Sequence, residues 1–428
     1  MGIVEVFRTE AHDLMDAQPA GRGDGDAHLG DRLARLRRLA GLTQEQVAER
    51  SGVSVDVIRK LEQHRKHSER LPTLHALAKG LGTEVTTLLG DPPAVASNGV
   101  PDPPALVELR RAVMPSIVPR FPDVSDLGSL SLAVLRQEIA DGWTLYHDAD
   151  FSRLMTVLPG IIADARLFAA VGNAEQKAAG SAALGKALQL AGHLSIRLGK
   201  TDLALSALER AAAAAGDSGD PLLAPMIYGS VAWAYQRQNR LDDAQELAVT
   251  AADGLEHGRL DTAARMRVWG GLLMSAATSA ARMGNYDEAS DVMATAEEGA
   301  GRLAALPPPE DDGRLLSVFS RSSVRIERIR LAVQHARPDE ALTLARGIRL
   351  SADVPPSWRT WLLLDVARAY TDIGDAESAV RTLETLRRVA PLWMRQHTLA
   401  VAIVTDLWAG PSRPPGLRKL AEYLGVVA

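Results

Sequence analysis

Apolar positions early in the chain recur with helical spacing and break at short polar turns. Leu29, Leu33, Leu36 and Ala40 share one face with arginines opposite, which predicts an amphipathic helix over 29–41 closed by Gly41. Thr43, followed three residues later by Gln46, is a capping-box signature. It opens a second helix over 44–50 that buries Val47 and Ala48. Ser51-Gly52-Val53 reads as a tight turn, and Ser54 caps a third helix over 55–63 that buries Val57, Ile58 and Leu61. Two further helices are expected over 73–81 and 84–89. A short helix, a glycine-containing turn and a second short helix make a helix-turn-helix unit.

The pattern then changes. Residues 90–104 carry Pro92, Pro93, Pro101, Pro103 and Pro104 among small residues, and read as a semi-extended linker. Beyond it a longer period appears. Five times a helix ends at a turn residue and an alanine follows five positions later: Gly199 with Ala204, Asn239 with Ala244, Gly284 with Ala289, Ala336 with Ala341, and Gly374 with Ala379. A degenerate sixth copy runs from Ala149 to Leu154. The expected layout is therefore a flexible tail over 1–28, a helix-turn-helix domain over 29–89, a linker over 90–104 and a repeat domain over 105–428. Each repeat is a helical hairpin that cannot bury its apolar face alone, so the hairpins stack as a solenoid.

Composition agrees with an all-α chain. Apolar residues make up 46% and aromatics only 4%, with alanine and leucine dominant, which favours closely packed helices. The chain has no cysteine, so disulfides and thiolate metal sites are excluded. No apolar run is long enough to span a membrane, and the first thirty residues lack a secretion core, so a cytoplasmic protein without membrane association is expected. Net charge is −5, yet the segment 29–70 holds ten basic against six acidic residues. A basic segment within an acidic chain is the footprint of nucleic-acid binding.

Three stretches of the first domain sharpen this: Leu42-Thr43-Gln44-Glu45-Gln46-Val47-Ala48, Ser51-Gly52-Val53-Ser54 and Ile58-Arg59-Lys60-Leu61-Glu62-Gln63. With Leu74-His75-Ala76-Leu77-Ala78 they resemble the Xre or phage-repressor family of DNA-binding domains. Where that family usually carries glycine after the third helix, this chain has His64. The resemblance implies a five-helix domain whose third helix enters the major groove of double-stranded DNA. Val55, Asp56 and Arg59 would then face bases, with the Arg59 fork matched to guanine. Gln44, Ser54, Lys60, Arg65 and Lys66 would contact phosphate. It also implies a homodimer on two half-sites.

The later repeats resemble the tetratricopeptide repeat. Their alanines are 40, 45, 52 and 38 residues apart, longer than the ideal period of about 34. With a helix-turn-helix head, the order of domains is similar to that of intracellular peptide-pheromone receptors of Gram-positive bacteria and of a group of actinobacterial regulators. Two residues before each turn lie Arg197, Arg237 and Arg282, and one helical turn earlier His193, Trp233, Thr278, Arg330 and Arg368. These eight form the expected effector site, suited to a peptide or a small anionic ligand because guanidinium forks bind carboxylate and phosphate.

The function expected from the sequence is a transcriptional regulator whose repeat domain senses an effector, dimerises, or both. The alternative is a repeat scaffold whose DNA-binding head is controlled by a protein partner. No catalytic residue, cofactor or metal is expected. Gly199-Lys200-Thr201 lacks the upstream glycine of a phosphate-binding loop. His64 and His67, with Asp24, Asp26 and His28, do not make a ligand set of convincing spacing.

Overall fold

The computed structural model describes residues 29–40, 42–63, 65, 71–81, 83, 88, 102–116, 125, 128, 131–307, 318–350, 354–395 and 397–427. The tail over 1–28, most of the linker, His64, Lys66 and all of the helix expected over 84–89 except Leu88 lie outside them. The described residues form 20 helices and no strand. Two compact units emerge, one from residues 1–92 with 322–428 and one from 93–321.

In the first unit, α1 (Leu29–Leu39), α2 (Gln44–Ser51), α3 (Val55–Glu62) and α4 (Leu71–Gly80) build the head. The expected caps are present. Gln46 N–H donates to Thr43 Oγ1 at 3.2 Å, and Thr43 N–H donates to Gln46 Oε1 at 2.8 Å. Gly52 ends α2 at φ 68, a left-handed conformation that glycine adopts without cost. Ser54 Oγ accepts from Val57 N–H. Leu33, Val47, Ile58, Leu61 and Leu77 are fully buried, whereas Ala40 is exposed beyond the last turn of α1. Helix α4 starts two residues earlier than expected, since proline at position 72 fits a first helical turn. A Cβ on Gly30 would lie 1.9 Å from Leu61 O, so α1 and α3 meet backbone to backbone there.

The same unit also holds α14 (Arg321–Gln334), α15 (Pro338–Ala345), α16 (Pro356–Asp372) and α17 (Ala376–Val389). It closes with α18 (Pro391–Arg395), α19 (Thr398–Ala409) and α20 (Leu417–Tyr423). The second unit begins with α5 (Pro104–Val113) and continues through four antiparallel pairs. These are α6 (Leu132–His147) with α7 (Phe151–Ala170), and α8 (Ala174–Arg197) with α9 (Thr201–Asp217). They are followed by α10 (Leu223–Arg237) with α11 (Leu241–Glu256), and α12 (Ala263–Met283) with α13 (Tyr286–Leu303). The first helices α6, α8, α10 and α12 contact one another in that order. Asp102 accepts from Arg110 and Lys200, both at 2.9 Å, and so ties the start of α5 to the turn after α8.

All six turns read from the sequence share one geometry. Ala149, Gly199, Asn239, Gly284, Ala336 and Gly374 have φ of 60, 68, 60, 94, 55 and 82. In each, the next residue's N–H reaches the carbonyl five positions back, as Lys200 does to Ser195 at 2.8 Å and Asp375 to Tyr370 at 2.9 Å. This left-handed closure satisfies carbonyls that the helix end leaves open. The alanines five positions later are fully buried, as is Leu154 in the sixth copy. An alanine held at positive φ is strained. Ala336→Gly is therefore expected to stabilise the chain by about 0.5–1 kcal/mol, after allowing for the added freedom of the unfolded glycine. A rise in the urea midpoint checks it.

Candidate nucleic-acid interface and repeat-face site

Helix α3 has one apolar and one polar face. Ile58 and Leu61 anchor it in the core. Ser54, Asp56, Arg59, Lys60 and Arg65 are exposed, and Val55 is half-buried beside them. Lys60 Nζ lies 2.7 Å from Asp56 across one helical turn. The Lys60 hydrogen bond, with the charges of Lys60 and Arg59 behind it, holds the Asp56 carboxyl below the usual range. An exposed pair of this kind contributes little to stability, so either partner is available to a ligand. Among the described residues no hydrogen bond or ion pair engages the Arg59 guanidinium. Lys66 lies outside them.

Gln44 is less open. It is half-buried at the start of α2, and its Nε2 donates to Glu62 Oε2 at 2.8 Å. Arg37 on α1 grips the same carboxylate with Nε at 2.7 Å and Nη2 at 2.9 Å, and its Nη1 donates to Leu42 O at 3.0 Å. Burial alone would push the Glu62 carboxyl up, but the bonds from Arg37 and Gln44 outweigh it and leave it lowered. One carboxylate thus fixes α1, the start of α2 and the end of α3 together. Arg37 and Glu62 are missing from the sequence-derived site. Their signal, a basic and an acidic residue 25 positions apart, is not readable without the fold.

In the second unit, three of the expected effector residues come together. His193, Arg197 and Trp233 meet Trp143, Tyr146 and His147 of α6, which the sequence reading left out. The Trp143 and His193 rings are 5.0 Å apart, as are His193 and Trp233. Arg197 lies over Tyr146 at 5.9 Å and over Trp233 at 5.5 Å, and its Nε donates to Tyr146 Oη at 3.2 Å. His193 Nε2 is 2.8 Å from Ser230 Oγ, which also accepts from Gln189 Nε2 at 2.9 Å. Trp143 and His147 stand six and two places before the turn at Ala149, the same offsets as His193 and Arg197 from Gly199. Applying that register to the sixth copy would have found them.

The other expected residues lie apart from this cluster. Arg282 Nη1 donates to Gln236 O at 2.8 Å, and Thr278 Oγ1 to Met274 O at 2.9 Å. Arg237 is half-buried on α10. Arg330 and Arg368 lie in the first unit, within buried charge clusters. Arg330 pairs with Glu327 at 2.9 Å and Asp365 at 3.4 Å. Arg368 pairs with Asp372 and Asp406. Burial pushes the Asp365 carboxyl up to about 7 against the pull of Arg330, with the charge of Glu327 adding to the rise. Among the described residues no group of acidic or histidine side chains is placed to hold a metal, and no helix is long and apolar enough to cross a membrane.

Burial, with the charges of Arg197 and His147 adding, pushes His193 down to about 3. Burial and Arg197 push His147 down to about 4. Both are neutral when folded but take up protons below about pH 6.5 when unfolded. Their contribution is therefore complete above pH 6.5 and is lost as pH falls toward their folded values. Between pH 7 and pH 5 each is expected to remove up to about 2 kcal/mol. His193→Gln should reduce that loss, measured by urea unfolding at the two pH values.

Comparison with known proteins supports the head. Residues 28–88 match the family described as a helix-turn-helix domain. A relative from Sinorhizobium fredii, described as an uncharacterized HTH-type transcriptional regulator, y4dJ, is 43% identical over 61 residues, 14% of this chain and 78% of that protein.

Proposed function

Because the chain belongs to the HTH-type transcriptional regulators, we propose that it binds operator DNA through α3 and that its helical hairpins, of tetratricopeptide type, receive the signal that controls binding. The observation that carries the first half is the exposed Arg59 on a helix whose opposite face is locked into the head. Val55, Asp56 and Arg59 read bases. Gln44, Ser54, Lys60, Arg65 and Lys66 hold phosphate, with Gln44 using the amide proton not given to Glu62. A homodimer places two heads on half-sites about 34–36 Å apart. The effector is a peptide or a small anionic ligand received on the first helices of the hairpins. It acts by changing hairpin packing or dimer geometry, and so the spacing of the two heads.

Genome-wide footprinting of the purified chain tests the reading, and absence of any specific site would overturn it. On the site found, Arg59→Ala is expected to cost about 1–3 kcal/mol, roughly tenfold to a hundredfold in affinity, and to relax specificity at one base pair. Arg65→Ala is expected to weaken all sequences alike and to reduce the salt slope by about one unit. Fluorescence anisotropy at several salt concentrations reads both.

A further inference from the structure

Aromatic residues are scarce in this chain, at 4%, yet several converge on the first helices of three successive hairpins. Trp143, His193 and Trp233 occupy the same register on α6, α8 and α10 and run as a row with 5.0 Å steps, the first contact edge-on and the second tilted. At the equivalent positions of α12, α14 and α16 stand Thr278, Arg330 and Arg368, so the run of rings is confined to these three helices. Some polar groups here meet one another, as Arg197 meets Tyr146 and as Gln189 and His193 meet Ser230, but two others do not. Trp143 Nε1 and Gln189 Oε1 are buried with no hydrogen-bond partner. Leaving such a donor or acceptor unmade costs about 1–3 kcal/mol, and folded proteins keep few of them.

We propose that Trp143, Tyr146, Gln189, His193, Arg197 and Trp233 form a binding site for a flat aromatic carboxylate, which enters where the Arg197 guanidinium lies against Tyr146 and Trp233. The guanidinium is itself planar, and it lies near both rings, 5.9 Å from Tyr146 and 5.5 Å from Trp233, where a flat ring of the ligand would take its place. Turned outward on its flexible stem, Arg197 meets the carboxylate with a fork of two N–H donors. The Trp143 N–H donates to an acceptor on the ligand, and Gln189 Oε1 accepts from a donor on it. The positive potential of Arg197 in this space is already felt by His147 and His193, whose protonation it opposes, and it selects an anion over a cation. Few placed polar groups among apolar rings is the usual make-up of a small-molecule site. This inference rests on the reading that the hairpins bind an effector, and it narrows the ligand from an anion or peptide to a flat aromatic acid.

Calorimetric titration of the full chain tests it with three probes: 2-naphthoate, its neutral analogue 2-naphthamide, and the non-planar anion cyclohexanecarboxylate. 2-Naphthoate is expected to bind at least tenfold more tightly than either of the others. Arg197→Met should abolish the advantage of naphthoate over naphthamide. Trp233→Leu should abolish its advantage over cyclohexanecarboxylate. Circular dichroism establishes that both variants remain folded, and Trp143→Phe, which keeps the ring and removes the N–H, serves as a milder third variant. Equal affinities for the three probes, or no binding by any, would overturn the inference. Selective naphthoate binding that survives all three substitutions would also overturn it, while leaving the effector reading intact because the acid would then sit elsewhere. Loss of the effector reading itself has a separate signature: operator affinity unmoved by naphthoate, by peptides and by a metabolite extract, whatever the calorimetry shows.

Discussion

Arg368→Met is expected to cost the folded chain about 3–5 kcal/mol, the loss typical of removing one member of a buried ion cluster. The Arg368 side chain is only 6% exposed, and it neutralises Asp372 at 6% and Asp406 at 12%. Both carboxylates stay behind when the guanidinium goes, and at 6% and 12% exposure neither is well hydrated where α16 meets α19. Urea unfolding of the full chain, followed by tryptophan fluorescence, reads the loss. Replacing all three residues together by apolar ones of similar size is expected to recover most of it, because the cost lies in the stranded charges and not in a missing attraction. An unchanged midpoint in Arg368→Met would overturn this assignment and return Arg368 to the effector face on which its sequence register places it.

Glu62→Ala carries the second large effect. Its carboxylate is 7% exposed at the side chain and receives Arg37 twice and Gln44 once. Without it the Arg37 charge, 17% exposed, loses its partner. The head is expected to lose about 3 kcal/mol of local stability, the lower end of the range for a broken buried pair. Amide exchange across α1 to α3 should then quicken by roughly a hundredfold, since every 1.4 kcal/mol is a factor of ten. DNA binding should fall with it, as α3 loses its fixed angle to α2. Glu62→Gln keeps the shape and part of the hydrogen bonding and should fall between. Normal exchange together with lost DNA binding would instead place Glu62 at the DNA surface.

These two sites show where sequence reading stops. The head was legible because its information is local: Thr43 with Gln46, Gly52, and Ser54 before an apolar run each fix a cap or turn within four residues. The hairpin turns were legible for the same reason, down to the non-glycine positions Ala149, Asn239 and Ala336. The eight effector candidates fall in two registers, but register gives only the face of one helix. It does not say what the neighbouring helix brings to that face. Arg197 meets rings and Arg282 meets a carbonyl, although both stand two places before their turns, and Arg368, six places before its own, meets two carboxylates.

By itself, then, the sequence determined the elements: all-helical, a helix-turn-helix head with α3 as its exposed helix, and hairpins closed by left-handed turns. Hydrogen bonds between residues three to five apart carry those features, and such bonds depend on the local chain alone. The tertiary structure decided which charges are free and which are consumed. The Arg37–Glu62 clamp, the Trp143–His193–Trp233 row and the Arg368–Asp406 pair join residues 25 to 90 positions apart in the chain. Burial there turns an ordinary arginine or glutamate into a structural tie, because a charge removed from water must be met by whatever the packing supplies.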